Sequence, residues 1–176
     1  MSFVERHGVT MLSGFPYLLS EMNRLPDIPA SLRLLISGGD VLRAHHVNKL
    51  VERAEVYNTY GPSEATVCAS YFRCRDGAPL DDGTYPIGRP VLGTEIRILD
   101  EAGREVPMGE TGEICILGGG VSLGYAGQRD EELRAWCAER DFAYLRDDDS
   151  RRAGFGEPPV VVNYFYHSEV KKSAKQ

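Results

Sequence analysis

The feature that most constrains this chain is the alternation of short apolar runs with amphipathic segments between Val9 and Asn58. Val9 to Leu12 (VTML) reads as a buried strand. Pro16 then opens a helix, a position where its missing N–H costs nothing, and Leu18, Leu19, Met22 and Leu25 fall on one stripe before Pro26 closes it. Leu32 to Ile36 (LRLLI) is a second strand, ended by Ser37-Gly38-Gly39-Asp40. A second helix follows from Ala44, with Val47, Leu50, Val51 and Ala54 sharing a face, and Glu55 to Asn58 is a third strand. Strand, helix, strand, helix, strand predicts an α/β fold with a parallel sheet and right-handed crossovers. Ligands of such sheets bind beyond the carboxyl ends of the strands. "SGGD" and "NTYGPSE" both follow strands, so both are expected to face one crevice.

The pattern changes near Asp76. "RDGAPLDDGT" is polar and rich in turn residues, after which "TEIRILD" and "GEICILG" alternate with period two around the turn region "GREVPMGETG". This predicts a small barrel or antiparallel sheet, a β-barrel-like subdomain over residues 85–128, after an α/β piece over residues 1–75. From Arg129 the signals weaken: "EELRAWCAER" has a helical stripe and "PPVVVNYFYHS" is an apolar run, and residues 129–176 form a divergent tail. "FVERHGVTML" enters a buried-looking segment almost at once, as though the chain began inside a larger domain.

"NTYGPSE" raises a chemical question. Gly-Pro marks a turn, since Pro fixes φ and Gly tolerates angles that other residues avoid. A turn alone has no need of an amide, a phenol, a hydroxyl and a carboxylate within seven positions. The structural readings stand beside the functional ones. "YGPSE" also reads as a plain turn, "SGGD" as a helix entry capped by Asp40, and Glu64 as a bridging or capping carboxylate or as a hard-cation ligand. His45 and His46 are adjacent and point apart on a helix, which is surface behaviour rather than metal spacing, and neither His7 nor His167 has an evident partner.

Composition removes several classes. A net charge of −6 over 176 residues argues against a nucleic-acid surface. No apolar run approaches the ~20 residues of a membrane span. Cys68, Cys74, Cys115 and Cys137 form no CxxC pair, and "MSFVERHGV" does not read as a secretory leader, which together suggest reduced thiols in a cytoplasmic protein. No GxGxxG follows a strand, so a dinucleotide-binding oxidoreductase is a poor fit.

Taken in order, "LLISGGD … YNTYGPSEAT … YPIGRPVLGTEIRILDEAGREVPMGETGEICILGGGVSLGY" resembles the adenylate-forming (AMP-dependent synthetase/ligase) superfamily over Phe3 to Gln128. It is most similar to the amino-acid adenylation domains of nonribosomal peptide synthetases and also resembles D-alanine–carrier-protein ligases and acyl-CoA ligases. The resemblance implies activation of a carboxylate with ATP and Mg²⁺ to an acyl-adenylate, followed by transfer to phosphopantetheine on a partner carrier protein.

Residue by residue, it places the Asn58 amide against adenine and the Tyr60 ring on its face. Gly39, Asp40 and Gly61 line the nucleotide site, Ser63 sits where a hydroxyl contacts the α-phosphate, and Glu64 binds magnesium. Ser13, Ile36, Gly38, Thr59, Val67 and Cys68 fall on positions lining the acyl pocket. The family's Gly-rich phosphate loop, its catalytic lysine and the Asp that binds a substrate amino group are not found in these residues, so no catalytic residue is assigned. The expectation is a piece of an adenylation domain that needs the remainder of that domain and is inactive in isolation. The competing reading is a non-catalytic nucleotide-binding or interaction remnant.

Overall fold

Strand and helix alternate from Met11 to Tyr60 as the sequence pattern predicts; the computed structural model describes residues 2–122. They belong to two units, one holding residues up to Gly61 together with Ser70–Arg89, the other holding Pro62–Ala69 and the chain from Pro90. The predicted tail over residues 129–176 lies outside the described residues, as do Cys137 and His167.

The first unit opens with a short helix α1 (Ser2–Arg6), which the sequence reading did not anticipate. Strand β1 (Met11–Gly14) follows, then helix α2 (Pro16–Asn23), β2 (Leu34–Ser37), helix α3 (Ala44–Val47), a 3₁₀ turn at Leu50–Glu52, and β3 (Glu55–Tyr60). Strands β1, β2 and β3 are parallel neighbours, with Gly14 opposite Ser37 and Ser37 opposite Asn58. The chain then returns as β4 (Ser70–Arg73), antiparallel to β3, and the two-residue β5 (Arg89–Pro90) completes the sheet order β1-β2-β3-β4-β5. The sheet is therefore mixed rather than wholly parallel.

Local hydrogen bonds explain where the boundaries moved. The Val9 N–H donates to the Val4 carbonyl (3.0 Å) and closes α1, so β1 begins at Met11 rather than Val9. The Leu32 N–H turns back to Pro29 (2.9 Å), delaying β2 to Leu34. The predicted second helix is interrupted because Lys49 and Leu50 donate their N–H groups to the Asn23 Oδ1 (3.0 and 3.3 Å). The same buried Asn23 donates through Nδ2 to the His45 carbonyl (3.1 Å) and to the Asn48 side chain (2.7 Å). One amide thus fastens the end of α2 to the α3 segment using both of its polar atoms.

The two faces of the sheet differ. Leu35, Val56, Ser37 and Asn58 point to the covered face, where Leu19, Met22, Leu42, Val47 and Leu50 pack into the core. Each such buried Leu contributes roughly 1.5–3 kcal/mol relative to exposure, so this face anchors the unit. The opposite face carries Met11, Ser13, Leu34, Ile36, Tyr57 and Thr59, all exposed or half-buried. Its amino-terminal end holds a charged group, Glu55 with Arg73 (2.5 Å) and Arg75 (3.3 Å).

In the second unit, β6 (Thr94–Leu99) and β7 (Glu113–Gly118) pair antiparallel from Thr94–Gly118 to Leu99–Glu113. The alternation in "TEIRIL" and "EICILG" correctly marks both strands. The expected barrel does not form among the described residues, which hold a two-stranded sheet. No helix of the described residues is long and apolar enough to cross a membrane.

Candidate nucleotide and acyl site

At the carboxyl ends of β2 and β3, two consecutive glycines are required for different reasons. A Cβ on Gly38 would lie 2.6 Å from the Thr59 Oγ1, so this position needs the missing side chain. Gly39 has open space around it but adopts φ +82°, a left-handed conformation that other residues enter at a cost. Beside them, Thr59 donates its hydroxyl to the Ser37 carbonyl (3.0 Å), and Gly38 donates its N–H to the Gly14 carbonyl (3.0 Å). Ser13 and Ile36 are register partners on the less covered face of the sheet, the face that also carries Thr59. Four of the predicted acyl-pocket residues, Ser13, Ile36, Gly38 and Thr59, are thus gathered at one end of this sheet.

Asn58 lies on the covered face and is buried. Its Nδ2 donates to the carbonyls of Tyr85 (3.3 Å) and Pro86 (2.9 Å). Two carbonyl acceptors can be met only by the NH₂ end, which fixes the amide's orientation and commits both of its donors. Ser70, on the neighbouring strand, donates its hydroxyl to the next carbonyl, Ile87 (2.8 Å). Gly88 then passes so close that a Cβ there would lie 1.9 Å from the Tyr71 carbonyl oxygen, at φ +80°. Three successive carbonyls of residues 85–87 are therefore held against β3 and β4. Nothing in the sequence singled out Ser70; its role depends on β4, which was not anticipated.

Tyr60, at the end of β3, is half-buried, and burial pushes its hydroxyl above the ordinary tyrosine range. Gly61 follows and is also half-buried. Asp40 is exposed and accepts from its neighbour's N–H, Val41 (2.7 Å). It does not cap α3: that end is closed by His46, whose Nδ1 accepts the Arg43 N–H (3.1 Å). Burial, then the neighbouring His45 and Arg43, hold the His46 imidazole below its ordinary value, in keeping with its acceptor role.

The second unit carries the rest of the motif. Pro62 leads into a 3₁₀ turn at Ser63–Ala65, which leaves Ser63 exposed and Glu64 half-buried. Thr66 and Val67 follow at φ 55° and 68°. A β-branched residue at positive φ is a true outlier, and each such residue stores on the order of 1–3 kcal/mol. Hydrogen bonds oppose that strain. Val67 N–H donates to the Pro62 carbonyl (3.3 Å), Cys68 N–H to the Thr66 carbonyl (2.7 Å), and the Thr66 hydroxyl to the Gly120 carbonyl (2.5 Å). Ser122 N–H donates to the Glu64 carbonyl (2.6 Å). Val67 is 75% exposed, while burial raises the Cys68 thiol above its ordinary value.

No group of three or more His, Cys, Asp or Glu side chains able to hold a metal occurs among the described residues. A lone carboxylate such as Glu64 still suits magnesium, which binds through one or two carboxylates and completes its shell with phosphate oxygens and water.

The chain matches the model of the family described as AMP-binding enzyme over residues 1–126. It is 39% identical to bacitracin synthase 2 of Bacillus licheniformis over 123 residues, which cover 69% of this chain and 5% of that protein. An artificially fused adenylation–PCP di-domain from Klebsiella oxytoca superposes with a TM-score of 0.63 at 24% identity, covering 70% of this chain and 26% of that one. A benzoate CoA ligase from Burkholderia xenovorans LB400 matches with a TM-score of 0.63 at 28% identity, covering 76% of this chain and 27% of that one. The chain thus spans a small part of these relatives' own length.

Proposed function

Because the chain belongs to the AMP-binding enzyme family, we propose that it supplies the adenosine platform, the metal carboxylate and part of the acyl pocket of an adenylation domain that activates a small carboxylate, such as an amino acid, with ATP. The observation that carries this reading is the gathering of Gly38, Thr59, Asn58 and Tyr60 at the carboxyl ends of adjoining strands, where α/β sheets bind ligands.

In this reading the Tyr60 ring offers a face on which adenine stacks. Asn58 has both donors committed to Tyr85 and Pro86, so it meets the base as an acceptor through Oδ1. An exocyclic amino group suits that acceptor, and the 6-oxo group of guanine does not. Gly39, Asp40 and Gly61 line the nucleotide, and Ser63 offers a hydroxyl to the α-phosphate. Glu64 would hold Mg²⁺, which would neutralise charge on the phosphates as the acyl-adenylate forms and pyrophosphate leaves. Ser13, Ile36, Gly38 and Thr59 bring no charge to the acyl pocket, and the resemblance assigns Val67 and Cys68, also uncharged, to acyl-pocket positions. Burying a charged substrate side chain there would cost several kcal/mol without a partner, so the reading favours a neutral one.

The resemblance to nonribosomal peptide synthetase adenylation domains favours a carrier-bound thiol as the acyl acceptor, and the Klebsiella oxytoca di-domain pairs an adenylation domain with a PCP. The structural match to a benzoate CoA ligase favours a second reading, in which coenzyme A takes that role. The 176 residues contain no Gly-rich phosphate loop and no catalytic lysine that we can assign, so the chain by itself is expected not to turn over. The test is carboxylate-dependent ATP–pyrophosphate exchange by a complete domain carrying this segment, against a panel of acids. A preference for aspartate, glutamate, lysine or arginine would contradict the pocket assignment. Full activity after Glu64→Gln would contradict the metal assignment.

A further inference from the structure

The turn that carries Ser63 and Glu64 is held by two bonds to one short segment, residues 118–122. The Glu64 carbonyl accepts the Ser122 N–H at 2.6 Å, and two residues later the Thr66 hydroxyl donates to the Gly120 carbonyl at 2.5 Å. At the second clamp the backbone passes into the left-handed region, at Thr66, and stays there through Val67. Strain of this kind persists only where surrounding contacts over-determine it. The Thr66 hydroxyl holds this turn from outside it, through an acceptor two residues beyond β7.

We propose that Thr66 is a positioning residue: its bond to Gly120 holds the 63–67 turn in the strained conformation that presents Ser63 and Glu64 to the nucleotide phosphates and their metal. The inference rests on the proposed function, since it gives Thr66 a role only if Glu64 and Ser63 meet Mg²⁺ and phosphate. Two demands meet at this position. The backbone requires φ 55°, which glycine or asparagine meets more easily than threonine. A residue that nevertheless supplies a hydroxyl there is explained by the bond the hydroxyl makes rather than by the fold of the turn.

That contrast separates positioning from a merely structural role. Thr66→Gly relieves the backbone strain and removes the donor; Thr66→Ser keeps the donor; Thr66→Val keeps the shape and removes the donor. The measurement is binding of Mn²⁺ in the presence of ATP to the 176-residue chain, followed by electron paramagnetic resonance, with amide exchange at Ser122 and Val67 as the local readout. Thr66→Gly and Thr66→Val should each weaken Mn²⁺·ATP binding about tenfold, with Thr66→Ser close to wild type. Amide protection at Val67 should fall in the first two variants and be kept in the third. If Thr66→Gly is folded, as judged by circular dichroism, and binds Mn²⁺·ATP as wild type does, the inference is overturned while the functional reading stands. If the wild-type chain binds no Mn²⁺·ATP at saturating nucleotide, the functional reading fails, and the role of Thr66 fails with it.

Discussion

The Thr59 hydroxyl occupies the space that a side chain on residue 38 would need: a Cβ at Gly38 would stand 2.6 Å from Thr59 Oγ1, which donates to the Ser37 carbonyl at 3.0 Å. The smallest possible addition is therefore sensitive. Gly38→Ala should force Thr59 to turn away and give up its bond, costing about 1–3 kcal/mol of stability in urea unfolding. The same substitution in a Thr59→Ala background should cost clearly less, because the obstructing atom is gone. Equal costs in both backgrounds would show that the two residues do not meet as described.

Asn58 carries a structural load in addition to its proposed contact with adenine. Asn58→Leu fills the site but leaves the Tyr85 and Pro86 carbonyls without their donor, and a buried unpaired polar group costs roughly 1–3 kcal/mol. We expect a loss of about 2–3 kcal/mol and faster amide exchange across residues 84–88. A variant as stable as wild type, with unchanged exchange there, would contradict the pinned-loop description.

The strand alternation and the motif positions were legible in the sequence because they depend on local patterns: apolar spacing, Pro at a helix start, Gly-rich strand ends. Ser37, by contrast, was noted only as part of "SGGD", yet its carbonyl anchors Thr59. Asn23 looked like an ordinary polar residue near a helix end, but its amide redirects the α3 segment through contacts more than twenty residues away. β4 was missed because "SYFR" is only four residues long and its strand character comes from pairing with β3. The spacing left a small barrel and an antiparallel sheet both open, and the described residues hold the antiparallel pair without a barrel. Local chemistry is written in local sequence; long-range pairing is not.

Cys74 supplies a pH test of the first unit. Burial pushes its thiol up to about 12. The sign follows from linkage: the folded state holds the proton more tightly than the unfolded chain. Stability is therefore fully present below the unfolded value near 9 and falls as pH rises from there toward about 12. The raised Tyr85 and Tyr60 hydroxyls act in the same direction. Urea midpoints measured from pH 8 to 11 should decline, and Cys74→Ala should flatten that decline. Native Cys74 should also resist alkylation at pH 8; rapid modification without unfolding would contradict its buried setting.

The most direct test of the central claim is a nucleotide titration of the 176-residue chain, read residue by residue by NMR. The account predicts that AMP and Mg²⁺·ATP shift the signals of Gly39, Asn58 and Tyr60, that GMP does so at least tenfold more weakly, and that Tyr60→Ala abolishes the response. No change at these residues at millimolar ATP, or an equal response to GMP, would contradict it.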